Sequence, residues 1–285
     1  MKVLLTGAKG QLGSALTASA PPGIMLEACT RKNCDLSDPS ALHTMLAWTK
    51  PDIVVNAGAY TAVDAAESEE GLAHTINADA VRALARSMDE LGGRIVQIGT
   101  DYVFDGNSGT AYRPGDRRNP LTAYGRSKAA GEDHLRSRDL LVRTSWLYAP
   151  GHANFMTTML RLMQEQDEVS VVADQIAAPT LASGLAEAIW ALIAADASGT
   201  FHHSDAGVAS WYDFAIAIAE EAVGAGLLGE MPRIRPIATT DYPTAAKRPA
   251  FSLLDSSATR ELLGRDAVHW RANLRSAIAL EAARG

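Results

Sequence analysis

The chain has 285 residues, with 26 Lys and Arg against 33 Asp and Glu, a formal net charge of −7. That length can bury a full core in one large domain or two modest ones. With 47% hydrophobic and 21% charged residues the composition excludes intrinsic disorder, and the negative balance excludes a mainly electrostatic nucleic-acid binder. Two cysteines, Cys29 and Cys34, are too few for a disulfide framework and point to a reducing compartment. The apolar stretch at residues 3–5 is too short for a secretory signal, and the run at 188–195 falls short of the about 20 residues a bilayer span needs. A cytoplasmic protein without a membrane or nucleic-acid partner is expected.

The first two thirds alternate short aliphatic runs with longer amphipathic ones. Residues 3–5, 25–29, 53–55, 94–98 and 140–143 are predicted strands, continuously apolar as in a parallel sheet covered on both faces. Helices are predicted over 12–18, 40–49, 73–91 and 124–135; the second is announced by Asp38 as cap and Pro39 in the first turn. This rhythm predicts an α/β fold with a doubly wound parallel Rossmann-type sheet. The last third predicts helices over 154–165, 181–193, 211–223 and 270–283, extended pieces at 169–172 and 200–203, and a surface loop over 224–236. Ser210 and Asp213 have the spacing of a capping box. Residues 1–149, together with the helix near 181–195, are expected to form the NAD(P)-binding domain, and 150–285 a smaller α/β substrate domain.

The first strand runs into Gly7-Ala8-Lys9-Gly10-Gln11-Leu12-Gly13 and then a helix. A sharp turn, a backbone close to a pyrophosphate and a free helix N-terminus all favour this pattern, so Gly7, Gly10, Gln11, Leu12 and Gly13 are candidate cofactor residues. After the second strand come Thr30-Arg31-Lys32, with no acid to bind a ribose 2′-OH. That favours NADPH through Arg31, with NADH as a second donor, and Asp35 and Leu36 are expected to close over the adenine. Asn56-Ala57-Gly58-Ala59 at the end of the third strand is expected to pass along the cofactor.

Tyr124 and Lys128 stand four residues apart, on one helix face. For a tyrosine to exchange a proton near neutrality its pKa must fall about three units, or ~4 kcal/mol. One ammonium about 5 Å away, at an effective dielectric near 20, supplies ~3 kcal/mol. Thr100, at the end of the fourth strand, is expected to face the cleft and orient a substrate carbonyl. No histidine spacing suits a catalytic zinc; the acidic run 64–70 reads as a solvated face, and Met156, Met159 and Met163 as core or interface.

The glycine motif, the strand-end threonine and the Tyr-x-x-x-Lys pair resemble the extended short-chain dehydrogenases/reductases. Within them the chain is similar to the dTDP-4-dehydrorhamnose reductase family, through residues 6–13 (TGAKGQLG), 100–106 (TDYVFDG), 143–148 (RTSWLY), 174–180 (DQIAAPT) and 248–255 (RPAFSLLD). The resemblance implies an oxidoreductase that uses NAD(P)H to reduce dTDP-6-deoxy-L-lyxo-4-hexulose at C4 to dTDP-L-rhamnose. It implies that Thr100, Tyr124 and Lys128 are catalytic, with Lys128 also binding the nicotinamide ribose. It sets Asp101 and Trp146 near the sugar, while Arg248 is the candidate cation for the substrate diphosphate. Some members depend on Mg2+, for which the sequence names no ligands, and a homodimer is compatible with the family. Gly99, Gly58 and Ala177 depart from the usual family residues. Another nucleotide-sugar reductase or epimerase, or a non-catalytic NADP-binding regulatory subunit, are the alternatives.

Overall fold

The computed structural model describes residues 1–284. In chain order the elements are β1 (Lys2–Thr6), α1 (Gln11–Ala18), β2 (Met25–Ala28), α2 (Pro39–Thr49), β3 (Ile53–Asn56), α3 (Val63–Ala66), α4 (Glu70–His74), α5 (Ala80–Glu90) and β4 (Arg94–Thr100). Then come α6 (Ala123–Glu132), β5 (Leu140–Thr144), β6 (Leu147–Tyr148), α7 (Phe155–Glu165), β7 (Glu168–Val172), β8 (Ile176–Ala177), β9 (Thr180–Leu181) and α8 (Ala182–Ala194). The last are β10 (Gly199–His202), β11 (Ala209–Ser210), α9 (Trp211–Gly224), β12 (Arg233–Ile237), α10 (Ser257–Leu263) and α11 (Trp270–Ala282).

Six strands make one parallel sheet in the order β10-β5-β4-β3-β1-β2. Successive side chains go to opposite faces, and both faces are covered. On one, Val3, Leu5, Val55, Val96 and Val142 pack against α1 and α8 through Leu12, Leu16, Leu185 and Ile189. On the other, Leu4, Val54 and Ile95 pack against α2 and α5 through Leu42, Leu46, Leu84 and Met88. Strand order reverses between β1 and β3, and such a switch point leaves a crevice outside the strands' carboxyl ends. A separate apolar core joins α7, α9, α11 and β7, and takes in Met156, Met159 and Met163. No helix among the described residues is long and apolar enough to cross a membrane.

Several expectations are corrected here. The strands run past their last apolar residue: Thr6 pairs with Asn56, and Thr100 with Thr144, so polar residues end the ladder at the crevice. The single helix expected over 73–91 starts earlier, at Glu70, and widens into a π-turn at Thr75–Asp79. There the Asn77 side chain bonds both backbone groups of Tyr60 and the Ser127 hydroxyl of α6. Part of the loop expected over 224–236 is β12, which pairs in parallel with β7; as a two-stranded edge it tolerates Pro236. Of the two extended pieces expected in the second domain, 169–172 falls on β7 and 200–203 on β10, which pairs with β5 and completes the main sheet. A boundary at residue 149 therefore does not enclose that sheet. The Ser210–Asp213 capping box is formed at the start of α9.

Candidate active site

Beyond the carboxyl ends of β1, β3, β4 and β5 lies a cleft of about 750 Å³. At these strand ends runs a polar chain: the Thr6 hydroxyl donates to Asn56 Oδ1 at 2.5 Å, Asn56 Nδ2 to Gln97 Oε1 at 2.8 Å, and Gln97 Nε2 to the Ile98 carbonyl at 3.0 Å. Lining the cleft are Gly7, Gly10, Gln11, Leu12, Arg31, Ala57, Gly58, Ala59, Thr100, Asp101, Tyr124, Lys128 and Trp146. Most of the predicted residues, drawn from four strand ends and from α1 and α6, thus meet in one place.

The glycine turn is built for close approach. Gly7 sits at φ +66°, and a Cβ there would come within 2.6 Å of the Gly58 nitrogen. A Cβ on Gly13 would lie 2.1 Å from the Gly7 carbonyl oxygen, a contact no side chain could relieve. Gly13 therefore acts from below, letting α1 seat under the turn, and is not itself a wall of the cleft. The N-terminus of α1 has Gly10 as cap and no side chain bonded to it, so its first N–H groups are free to meet an anion. These features fit the pyrophosphate of a dinucleotide. Gln11 lines the cleft while its amide bonds the Leu147 carbonyl and Asn154, which ties α1 to the chain after β6.

Asp35 and Leu36, expected over the adenine, are not among the residues lining the cleft. The Asp35 carboxylate is turned back to Ser37 N and Oγ, at 2.9 and 2.8 Å, and Leu36 is buried in the core against Gly58. Arg31 lines the cleft, its side chain largely exposed and 3.8 Å from Asp35.

Tyr124 projects from the first turn of α6, whose start is fixed twice: the Thr122 hydroxyl accepts from Gly125 N at 2.9 Å and Glu67 accepts from Ala123 N at 2.9 Å. Burial pushes the phenol up to about 12, against a hydrogen bond with Thr100 that pulls it down; the Asp101 charge adds to the rise. The expected lowering by Lys128 is absent from this balance. The Lys128 ammonium turns to the Ile98 carbonyl at 2.7 Å, and burial lowers its own pKa to about 8. Asp101, also buried, is raised to about 6 by burial although it accepts from Ser252 Oγ at 2.5 Å and Thr100 Oγ1 at 3.1 Å.

The acidic run is largely a solvated face, with Glu67, Glu69 and Glu70 exposed, and Asp64 is its exception. Asp64 accepts from both terminal nitrogens of Arg248, at 3.1 and 2.6 Å, and from Ala246 N at 3.0 Å, while Glu70 pairs with Arg126. Arg248 does not line the cleft, although its charge bears on Tyr102, which does. Gly99 has a local cause as well: a Cβ there would fall 2.7 Å from Arg143 Cγ, within the buried Arg143–Glu132 ion pair.

Sequence reasoning missed Tyr102, Ser145, His152 and Trp211, all in the cleft wall. Trp211 stacks on Trp146 with ring centroids 3.6 Å apart, and Trp146 itself takes a left-handed φ of +45°. Strain of this kind collects where a side chain must be aimed; no periodicity in the sequence announces it.

Comparison with known proteins places this geometry. The family model described as the RmlD substrate binding domain matches residues 1–282. A dTDP-4-dehydrorhamnose reductase of Burkholderia thailandensis is 40% identical over 285 aligned residues, covering 95% of this chain and 96% of that protein. The crystal structure of a Clostridium acetobutylicum dTDP-4-dehydrorhamnose reductase superposes with a TM-score of 0.92 at 36% identity, over 98% of this chain and 99% of that one. The Bacillus anthracis dTDP-4-dehydrorhamnose reductase, solved in complex with NADP, gives 0.91 at 35% identity, over 97% and 98%.

Proposed function

The chain belongs to the RmlD substrate binding domain family, and from that premise we propose that it is an NADPH-dependent oxidoreductase that reduces dTDP-4-dehydro-6-deoxy-L-mannose at C4 to dTDP-L-rhamnose. The observation that carries the reading is the convergence of Thr100, Tyr124 and Lys128 in the cleft that opens on the Gly7–Gly13 turn.

Reducing a ketone requires hydride at carbon and a proton at oxygen. A bound NADPH supplies the hydride. The proton falls to Tyr124, whose phenol, pushed up to about 12, still carries it at neutral pH; water restores it afterwards. Lys128 spends one N–H on the Ile98 carbonyl and keeps two donors for the ribose and the phenol. Thr100 fixes the phenol's position from the strand end. Trp146, backed by Trp211, offers a flat wall to the sugar. Arg31 serves the 2′-phosphate, and Arg248 the substrate diphosphate. In this reading residues 1–149 with α8 and β10 hold the cofactor, and the rest of 150–285 closes over the sugar nucleotide. The two buried free thiols, Cys29 and Cys34, suit a cytoplasmic setting, and a homodimer is compatible with the reading.

The test is NADPH oxidation, followed by absorbance, with the dTDP-4-keto-6-deoxy sugar as substrate. Tyr124→Phe should lower kcat by about 100-fold or more, the scale of a positioned proton donor. An unchanged kcat would remove Tyr124 from the chemistry, and no oxidation by the wild type would remove the substrate.

A further inference from the structure

Residues 246–255 cross from the second part of the chain to the catalytic strand end. Backbone bonds of 2.8 Å fasten them on both sides, between Ile176 and Ala250 and Ser252, and between Tyr112 and Leu253 and Asp255. The 246–248 end is fastened by a side chain. Asp64, on α3, accepts from Ala246 N and grips Arg248 through both terminal nitrogens.

A guanidinium has five N–H donors in one plane. Two are held by Asp64, so three remain, and the plane is fixed by a two-point contact instead of being left to four free torsions. The Arg248 charge bears on Tyr102, a wall of the cleft, and the Tyr102 ring meets the Tyr124 ring edge-on at 5.5 Å between centroids. A glycosyl diphosphate reduced at C4 carries its phosphates on C1, across one hexose ring from the reacting carbon.

We propose that Asp64 is a positioning residue for the sugar nucleotide: by holding both Arg248 and the Ala246 backbone it presents the free edge of the guanidinium to the substrate diphosphate. The inference rests on Arg248 being the diphosphate cation. Two effects oppose each other in it. Asp64 neutralises part of the Arg248 charge, which weakens anion binding, and it removes the torsional freedom the anion would otherwise have to freeze, up to about 2 kcal/mol for an arginine side chain. The second contact, to the Ala246 N–H, tips the balance to ordering, since the same carboxylate sets the path of the backbone that carries Arg248.

The experiment is calorimetric titration with dTDP, alongside NADPH titration of the same variants. Asp64→Ala should weaken dTDP about tenfold and leave NADPH affinity within about twofold, with Asp64→Asn in between. The double variant Asp64→Ala, Arg248→Ala should bind dTDP no more weakly than Arg248→Ala alone, because Asp64 works through Arg248. Unchanged or tighter dTDP binding in Asp64→Ala, additive losses in the double variant, or a parallel loss of NADPH would each overturn the proposal. If Arg248→Ala itself binds dTDP normally, it is the Arg248 assignment beneath the proposal that fails.

Discussion

The Lys128 ammonium and the Ile98 carbonyl oxygen meet at 2.7 Å in the lining of the cleft, and that oxygen also accepts from Gln97 Nε2 at 3.0 Å. The strand end thus holds a buried cation without depending on it for its own hydrogen bonding. Burial lowers the Lys128 pKa from 10.5 to about 8. A lysine lowered on folding opposes folding at neutral pH, because the unfolded chain binds the proton more tightly; the penalty fades as pH rises from about 8 to 10.5.

Lys128→Met should therefore unfold later than the wild type at pH 7, by about 1–3 kcal/mol in urea titration, while losing turnover. The stability gain should vanish above about pH 10.5, where the lysine is neutral in both states. Wild-type turnover should fall as pH rises through about 8, as the ammonium is lost. A variant less stable than wild type at pH 7 would show that the cation is compensated by contacts other than those described.

In the proposed reading, cofactor choice turns on Arg31. It lines the cleft beside Thr30, and its one carboxylate neighbour, Asp35 at 3.8 Å, is already committed to Ser37. A loose, exposed pair of this kind contributes little, so the guanidinium is free to take a phosphate. Arg31→Ala should raise KM for NADPH about tenfold and leave KM for NADH nearly unchanged, as steady-state rates with each cofactor would show. Equal rises for both would mean that Arg31 does not contact the 2′-phosphate.

The local features of the site could be read from the sequence because each is set by near neighbours. The Gly7–Gly13 turn, the Tyr124–Lys128 spacing and the strand ends at Asn56 and Thr100 are written within a few residues. Asp64 and Arg248 are 184 residues apart, and Asp101 and Ser252 are 151 apart, so nothing periodic links them before the chain has folded. Asp35 shows another limit: its position after β2 suggested a cofactor contact, and the sequence did not show that a serine two residues on also bonds the carboxylate. The place of β10 escaped for a third reason. A short edge strand ending at His202 looks the same whether it joins a large sheet or a small one.

The Asp101–Ser252 contact makes stability depend on pH in a definite direction. Asp101 is almost wholly buried, and burial raises it to about 6 although the hydroxyls of Ser252 and Thr100 both stabilise its charged form. Because its folded pKa lies above the unfolded value of 3.8, the folded chain binds the extra proton between about pH 4 and 6 and loses stability as pH rises through that window. Ser252→Ala deletes one of the two hydroxyls and pushes Asp101 higher still. Above pH 6 the variant must bury a carboxylate short of one charge-assisted hydrogen bond, a loss of about 1–3 kcal/mol. Near pH 4.5 the carboxyl is protonated in the fold, and most of that loss disappears. Urea unfolding at pH 4.5 and 7.5 should therefore show a destabilisation that grows with pH. If it is the same at both, Ser252 only fills space beside Asp101 and does not stabilise its charge.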